Sequence, residues 1–160
     1  MTAFTQIIED NEAVTVTRNI SFPVITLFLM MVFLCDSAAW LFGMTMGKNN
    51  RNILKASPNK SIAGFIGGFI GSIAAGVAGY YIWPEVFGNS IVKVIILGAV
   101  IAFTSIIGDL AESVLKRSAD CKDSGCIIPG RGGILDSIDS IIVSAPVYYF
   151  LVKLFFGPIA

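Results

Sequence analysis

Between Ile62 and Trp83 the chain contains no charged residue, a run long enough to cross a bilayer as one helix. No other feature limits the fold so strongly. In lipid, every backbone amide must find its partner within the spanning structure, which excludes irregular chain from the interior of the membrane. Three more runs follow the same rule with few exceptions. Ile20 to Phe42 has one charge, Asp36; Ile91 to Leu110 has Lys93 near its start and Asp109 near its end; Ile134 to Phe156 carries Asp136 and Asp139 early and Lys153 late. These runs predict an all-α polytopic membrane protein with about four transmembrane helices, rather than a set of core helices in a soluble domain. Residues 1–19 read as a polar, acidic N-terminal segment without the basic-then-apolar pattern of a cleavable signal peptide. Residues 20–160 read as the membrane domain.

The charges assign sides. The loop from Gly43 to Ser61 holds Lys48, Arg51, Lys55 and Lys60 and no acid, so it is expected in the cytoplasm. The connection Pro84–Ser90, with Glu85, then falls outside. The loop from Ala111 to Gly133, with Lys116, Arg117, Lys122 and Arg131, returns to the cytoplasmic side, and both termini lie opposite. This arrangement puts Asp36, Asp109, Asp136 and Asp139 near one depth, at a polar site on the cytoplasmic face. Lys93 and Lys153 fall near the other face, where long side chains snorkel to the interface. The glycines of the second run, Gly64, Gly67, Gly68, Gly71, Gly76 and Gly79, recur at three- and four-residue spacings that let helices approach closely in lipid.

Composition narrows the chemistry. Hydrophobic residues make up 55% and charged ones 14%, with 11 basic and 11 acidic residues; this balance gives no indication of a nucleic-acid partner. Three cysteines are too few for a disulfide framework, and Cys121 and Cys126 lack the partners of a zinc site. There is no histidine. A bound metal would therefore be a hard cation on carboxylates, Mg²⁺ above all. Asp136 and Asp139 are three apart and share a helical face, as do Asp109, Ser113 and Lys116 if the third helix continues past the membrane edge. Asp109 and Asp136, from different helices, are then placed to hold one divalent cation.

The stretch from Asp109 to Asp139 reads DLAESVLKRSADCKDSGCIIPGRGGILDSID. Its Ser113, Lys116-Arg117, Lys122-Asp123, Gly132-Gly133 and Asp136-x-x-Asp139 resemble the signature of the phosphatidate cytidylyltransferases (CDP-diacylglycerol synthases). The likeness extends upstream through Asp36-Ser-Ala-Ala-Trp40, Gly47-Lys48 and Ser57-Pro-Asn-Lys60, and so covers the chain from about Ser21 onward. It implies a CTP-dependent membrane enzyme that transfers a cytidylyl group to phosphatidate and releases pyrophosphate, with Mg²⁺ as cofactor and K⁺ as a candidate second cation. Under this likeness Asp109, Asp136 and Asp139 are metal candidates and Asp123 a support. Lys116, Arg117, Lys122, Lys60 and Arg131 are candidates for phosphate contact, Ser113 and Ser57 for hydrogen bonds to nucleotide or phosphate, and Asp36 for the nucleotide side of the site. Localisation in the cytoplasmic (inner) membrane follows if the source is bacterial.

Two positions depart from the family pattern: Arg131 stands where the family has histidine, and Ser137 where it has arginine. Family members also carry helices ahead of the segment matching Ser21, here expected to be absent or supplied by a second copy or a partner. The alternatives are a CTP-dependent polyprenol kinase-like enzyme and a non-catalytic or degenerate membrane subunit.

Overall fold

The computed structural model describes residues 4–6, 16–18, 20–47, 60–88, 90–119 and 135–157. A short antiparallel ribbon, β1 (Phe4–Gln6) paired with β2 (Val16–Arg18), precedes the helices, with Thr5 opposite Thr17. Among the described residues five helices follow: α1 (Ser21–Thr45), α2 (Ile62–Ile82), the single turn α3 (Pro84–Phe87), α4 (Ile91–Ser118) and α5 (Leu135–Phe156). The four long ones each contain a stretch apolar enough to cross a membrane. The all-helical, four-span architecture expected from the sequence is the one observed, with the ribbon added in the polar N-terminal segment.

Local chemistry sets several boundaries. Ser61 caps α2, its hydroxyl accepting from the Gly64 N–H at 3.1 Å. Pro84 opens α3 at a first-turn position, where its missing N–H costs nothing. Pro146 lies inside α5, where a membrane helix tolerates the lost rung more readily than a soluble one. The 28 residues of α4 measure about 42 Å at the usual helical rise, longer than the roughly 30 Å apolar layer of a bilayer. The helix therefore runs through Asp109 and on to Ser118 as one rod, so that residues 109, 113 and 116 do lie on a continuous helix.

The helices pack in the order α1, α2, α4, α5, with α1 against α2 the most extensive contact. Each seam depends on a glycine. A Cβ at Gly67 would come within 2.8 Å of the Ala38 carbonyl oxygen, one at Gly98 within 2.9 Å of Ile73 Cα, and one at Gly108 within 2.8 Å of the Asp139 carbonyl oxygen. Small hydroxyls add to the seams. Ser72 donates to the Gly98 carbonyl at 2.9 Å, Ser140 to the Ser105 carbonyl at 3.3 Å, and Thr104 to Ser144 Oγ at 3.2 Å.

The apolar core occupies one end of the bundle, where Leu27, Met31, Phe87, Val94, Leu97, Ile101 and Val152 are buried. There α1 meets α5: the Tyr148 hydroxyl donates to the Val24 carbonyl at 2.8 Å, and its ring lies 5.0 Å from that of Phe28. Lys93, expected near the face opposite the acids, donates to the Phe155 carbonyl at 2.7 Å, placing a cation at the C-terminal end of α5 where the helix dipole favours it. The acids lie toward the opposite end.

Candidate active site

The site is assembled at that opposite end, from the C-terminal half of α4, the first turns of α5, the N-cap of α2 and the last third of α1. Among the described residues, Asp109, Glu112 and Asp139 form an acidic cluster whose ligand oxygens all lie within 4.8 Å of one another. Asp109 and Glu112 are one turn apart on α4, and Asp139 reaches them from α5. Glu112 is buried, at 5% exposure. The Ser140 N–H holds Asp139 Oδ1 at 2.6 Å. Two ammonium groups face the cluster. Lys60 Nζ contacts Asp109 Oδ2 at 2.5 Å across the α2–α4 boundary, and Lys116 Nζ contacts Glu112 Oε2 at 3.2 Å one turn along α4. Three carboxylates against two ammoniums leave the cluster formally one negative charge in excess.

Beside it opens a cleft of about 510 Å³ between α1, α2 and α4. Its walls include Asp36, Trp40, Lys60, Ser61, Phe65 and Asp109. The cleft therefore combines aromatic side chains with a cation and two carboxylates. This is the composition expected of a pocket that takes one flat, partly apolar moiety and holds a charged one at its rim.

The cluster suits a hard divalent ion on chemical grounds. All its donors are carboxylate oxygens, and Mg²⁺ characteristically takes a few carboxylates and completes its shell with water and substrate phosphates. Asp109, Glu112 and Asp139 are the residues that would hold it.

Of the candidate residues, the structure brings together Asp109 and Asp139, with Lys60 and Lys116 on their flanks. Asp36 is exposed on the cleft wall. Ser113 donates back to the Asp109 carbonyl at 2.8 Å, so its hydroxyl proton is engaged within its own helix. Arg117 is exposed in the last turn of α4. Asp136 lies in the first turn of α5, but its side chain is outside the described residues, as are Ser57, Lys122, Asp123 and Arg131. Glu112 is the site residue the sequence reading passed over. Its signal was the i, i+3 spacing from Asp109 on a helix that continues beyond the membrane edge.

A profile described as the Cytidylyltransferase family matches residues 4–155, beginning well ahead of Ser21. The chain is 41% identical over 143 residues to a phosphatidate cytidylyltransferase of Synechocystis sp., covering 84% of this chain and 46% of that one. It is 39% identical over 129 residues to the phosphatidate cytidylyltransferase of Bacillus subtilis, covering 79% and 46%. It thus spans about half the length of these curated relatives. A solved structure described as an intramembrane enzyme for archaeal membrane lipid biosynthesis superposes with a TM-score of 0.56 at 24% identity, covering 79% of this chain and 77% of that one. That likeness concerns the fold.

Proposed function

This chain belongs to the cytidylyltransferase family, and from that premise we propose that it transfers the cytidylyl group of CTP to phosphatidate, forming CDP-diacylglycerol and pyrophosphate. The observation that carries the proposal is the convergence of Asp109, Glu112 and Asp139 next to a cleft rimmed by Lys60. In the reaction a phosphatidate phosphate oxygen bonds to the α-phosphorus of CTP. The bond from that phosphorus to the bridging oxygen breaks, and pyrophosphate leaves with the electron pair. The nucleophile is an already ionised phosphate, so the chain needs no strong general base, and its lack of histidine is no handicap.

The obstacle is repulsion between two polyanions. The cleft would seat the nucleoside, with Trp40 and Phe65 available to its base and Asp36 on the same wall. Lys60 and Lys116 would turn from their carboxylate partners toward phosphate, joined by Arg117, Lys122 and Arg131. Ser57 and Ser113 are the proposed hydroxyl contacts, and Asp123 and Asp136 the supporting acids. Asp109, Glu112 and Asp139 would hold Mg²⁺, with K⁺ a candidate second ion; such cations neutralise phosphate charge and align the reacting oxygens. We place the site on the cytoplasmic face, because the helix ends that build it lead into the two basic stretches of sequence, residues 43–61 and 111–133. A second copy or a partner is the candidate source of further helices around the lipid.

Purified protein in detergent with phosphatidate, Mg²⁺ and CTP labelled at the α or the γ phosphate tests the proposal. Label from the α position is expected in lipid, and Asp109→Asn is expected to abolish its transfer. Transfer of γ label would overturn the reaction, and full activity of Asp109→Asn at limiting Mg²⁺ would remove that residue from the metal.

A further inference from the structure

At the level of the carboxylates α4 and α5 approach backbone to backbone. Gly108, immediately before Asp109, is buried against the backbone of Asp139 itself. A Cβ there would lie 2.8 Å from the Asp139 carbonyl oxygen, 3.1 Å from Ser140 Cα and 3.3 Å from the Asp139 carbonyl carbon. All three obstacles are backbone atoms, so no side chain can rotate away to make room. The hydroxyl contacts Ser140 to Ser105 and Thr104 to Ser144 fix the same seam on the core side.

We infer that Gly108 is a positioning residue whose missing side chain sets the separation of Asp139 from Asp109 and Glu112, and thereby selects a small divalent cation. The inference rests on the cation-binding reading of the cluster. Moving the nearest obstacle from 2.8 Å to ordinary contact at 3.4 Å displaces α5 by about 0.6 Å, since packed interiors shift rather than compress. Mg²⁺ demands near-octahedral ligands at about 2.0–2.1 Å, whereas Ca²⁺ accepts looser shells at about 2.3–2.6 Å. A methyl group at position 108 therefore penalises Mg²⁺ far more than Ca²⁺.

The test is cation-dependent thermal stabilisation of the full chain in detergent, titrated with MgCl₂ or CaCl₂ without nucleotide, so that binding is read apart from turnover. Gly98→Ala serves as the packing control. Its Cβ would meet Ile73 Cα at 2.9 Å and the Ser72 carbonyl oxygen at 3.0 Å, at the α2 seam rather than at the acids. Gly108→Ala is expected to weaken Mg²⁺ at least tenfold and Ca²⁺ less than threefold, while Gly98→Ala leaves the ratio of the two unchanged. Equal losses for both ions, no loss, or the same change of ratio in Gly98→Ala would overturn the proposal. If Gly108→Ala does not survive extraction, Asp139→Glu tests the same spacing by lengthening one arm without touching the helix contact. It must also weaken Mg²⁺ at least tenfold, and native-like Mg²⁺ binding in that variant overturns the inference. Should the unaltered protein respond to neither cation, the metal reading itself fails, a result distinct from a change confined to the Gly108 variant.

Discussion

Lys60 connects the cleft to the acidic cluster, and replacing it separates two effects of opposite sign. Its ammonium lies against Asp109 at 2.5 Å, on the carboxylate proposed for the cation. Two unit charges about 3 Å apart attract by on the order of 5 kcal/mol at an effective dielectric near 20. The Asp109 side chain is 45% exposed, however, and solvent screening reduces such a pair to about 1 kcal/mol. Lys60→Gln removes this internal competitor, so bare Mg²⁺ should bind about fivefold more tightly. The same change deletes a charge-assisted contact to phosphate, worth roughly 1.5–3 kcal/mol, so CTP should bind about ten- to a hundredfold more weakly. Thermal stabilisation by Mg²⁺ alone and by CTP with saturating Mg²⁺, measured on Lys60→Gln and Lys60→Arg, reads both. Opposite shifts in Lys60→Gln, with partial recovery of CTP in Lys60→Arg, are expected. Parallel weakening of both ligands would refute the exchange and reduce Lys60 to a strut between α2 and α4.

Glu112→Gln keeps the shape of a buried side chain but removes its charge; cation affinity should fall by on the order of tenfold or more and lipid-linked cytidine should disappear, while extraction yield is retained. Tyr148→Phe deletes the bond to the Val24 carbonyl at the far end; denaturant titration should register a loss of about 1 kcal/mol, with turnover per folded molecule unchanged. With native cysteines removed, a cysteine at position 88 should label from outside intact cells and one at position 55 should not; the reverse pattern would invert the topology.

The four spans were legible because hydrocarbon thickness imposes a length and an exclusion of charge that composition alone reveals. The helix ends were not. The apolar signal of the first span stops at Phe42 and that of the third at Leu110, yet α1 continues to Thr45 and α4 to Ser118. Beyond the membrane edge a helix no longer needs apolar residues, and its continuation is set by backbone bonding and neighbours. Glu112 was hidden by the same effect: it lies past the apolar run among mixed charges, and only the continuation of α4 sets it on the face of Asp109. The partner of Lys93 was hidden for another reason: it is a backbone carbonyl 62 positions away, and backbone acceptors leave no mark in a sequence. The turn α3 was signalled by Pro84 but lost inside a short connection. Ser57, Lys122, Asp123 and Arg131, with the side chains of Asp136 and Ser137, lie outside the described residues, so the roles given to them rest on sequence.

The clustering of the apolar core at one end and of the acids at the other divides the molecule along the membrane normal. Residues such as Leu27, Leu97 and Val152 hold the helices together at a distance from the cleft, leaving the acidic end to helix termini. Resistance to unfolding and the proposed chemistry thus belong to different ends of the same rods. Local opening at the acidic end is expected at lower free energy than global unfolding, so amides near Asp109 and Asp139 should exchange with solvent before those around Leu97.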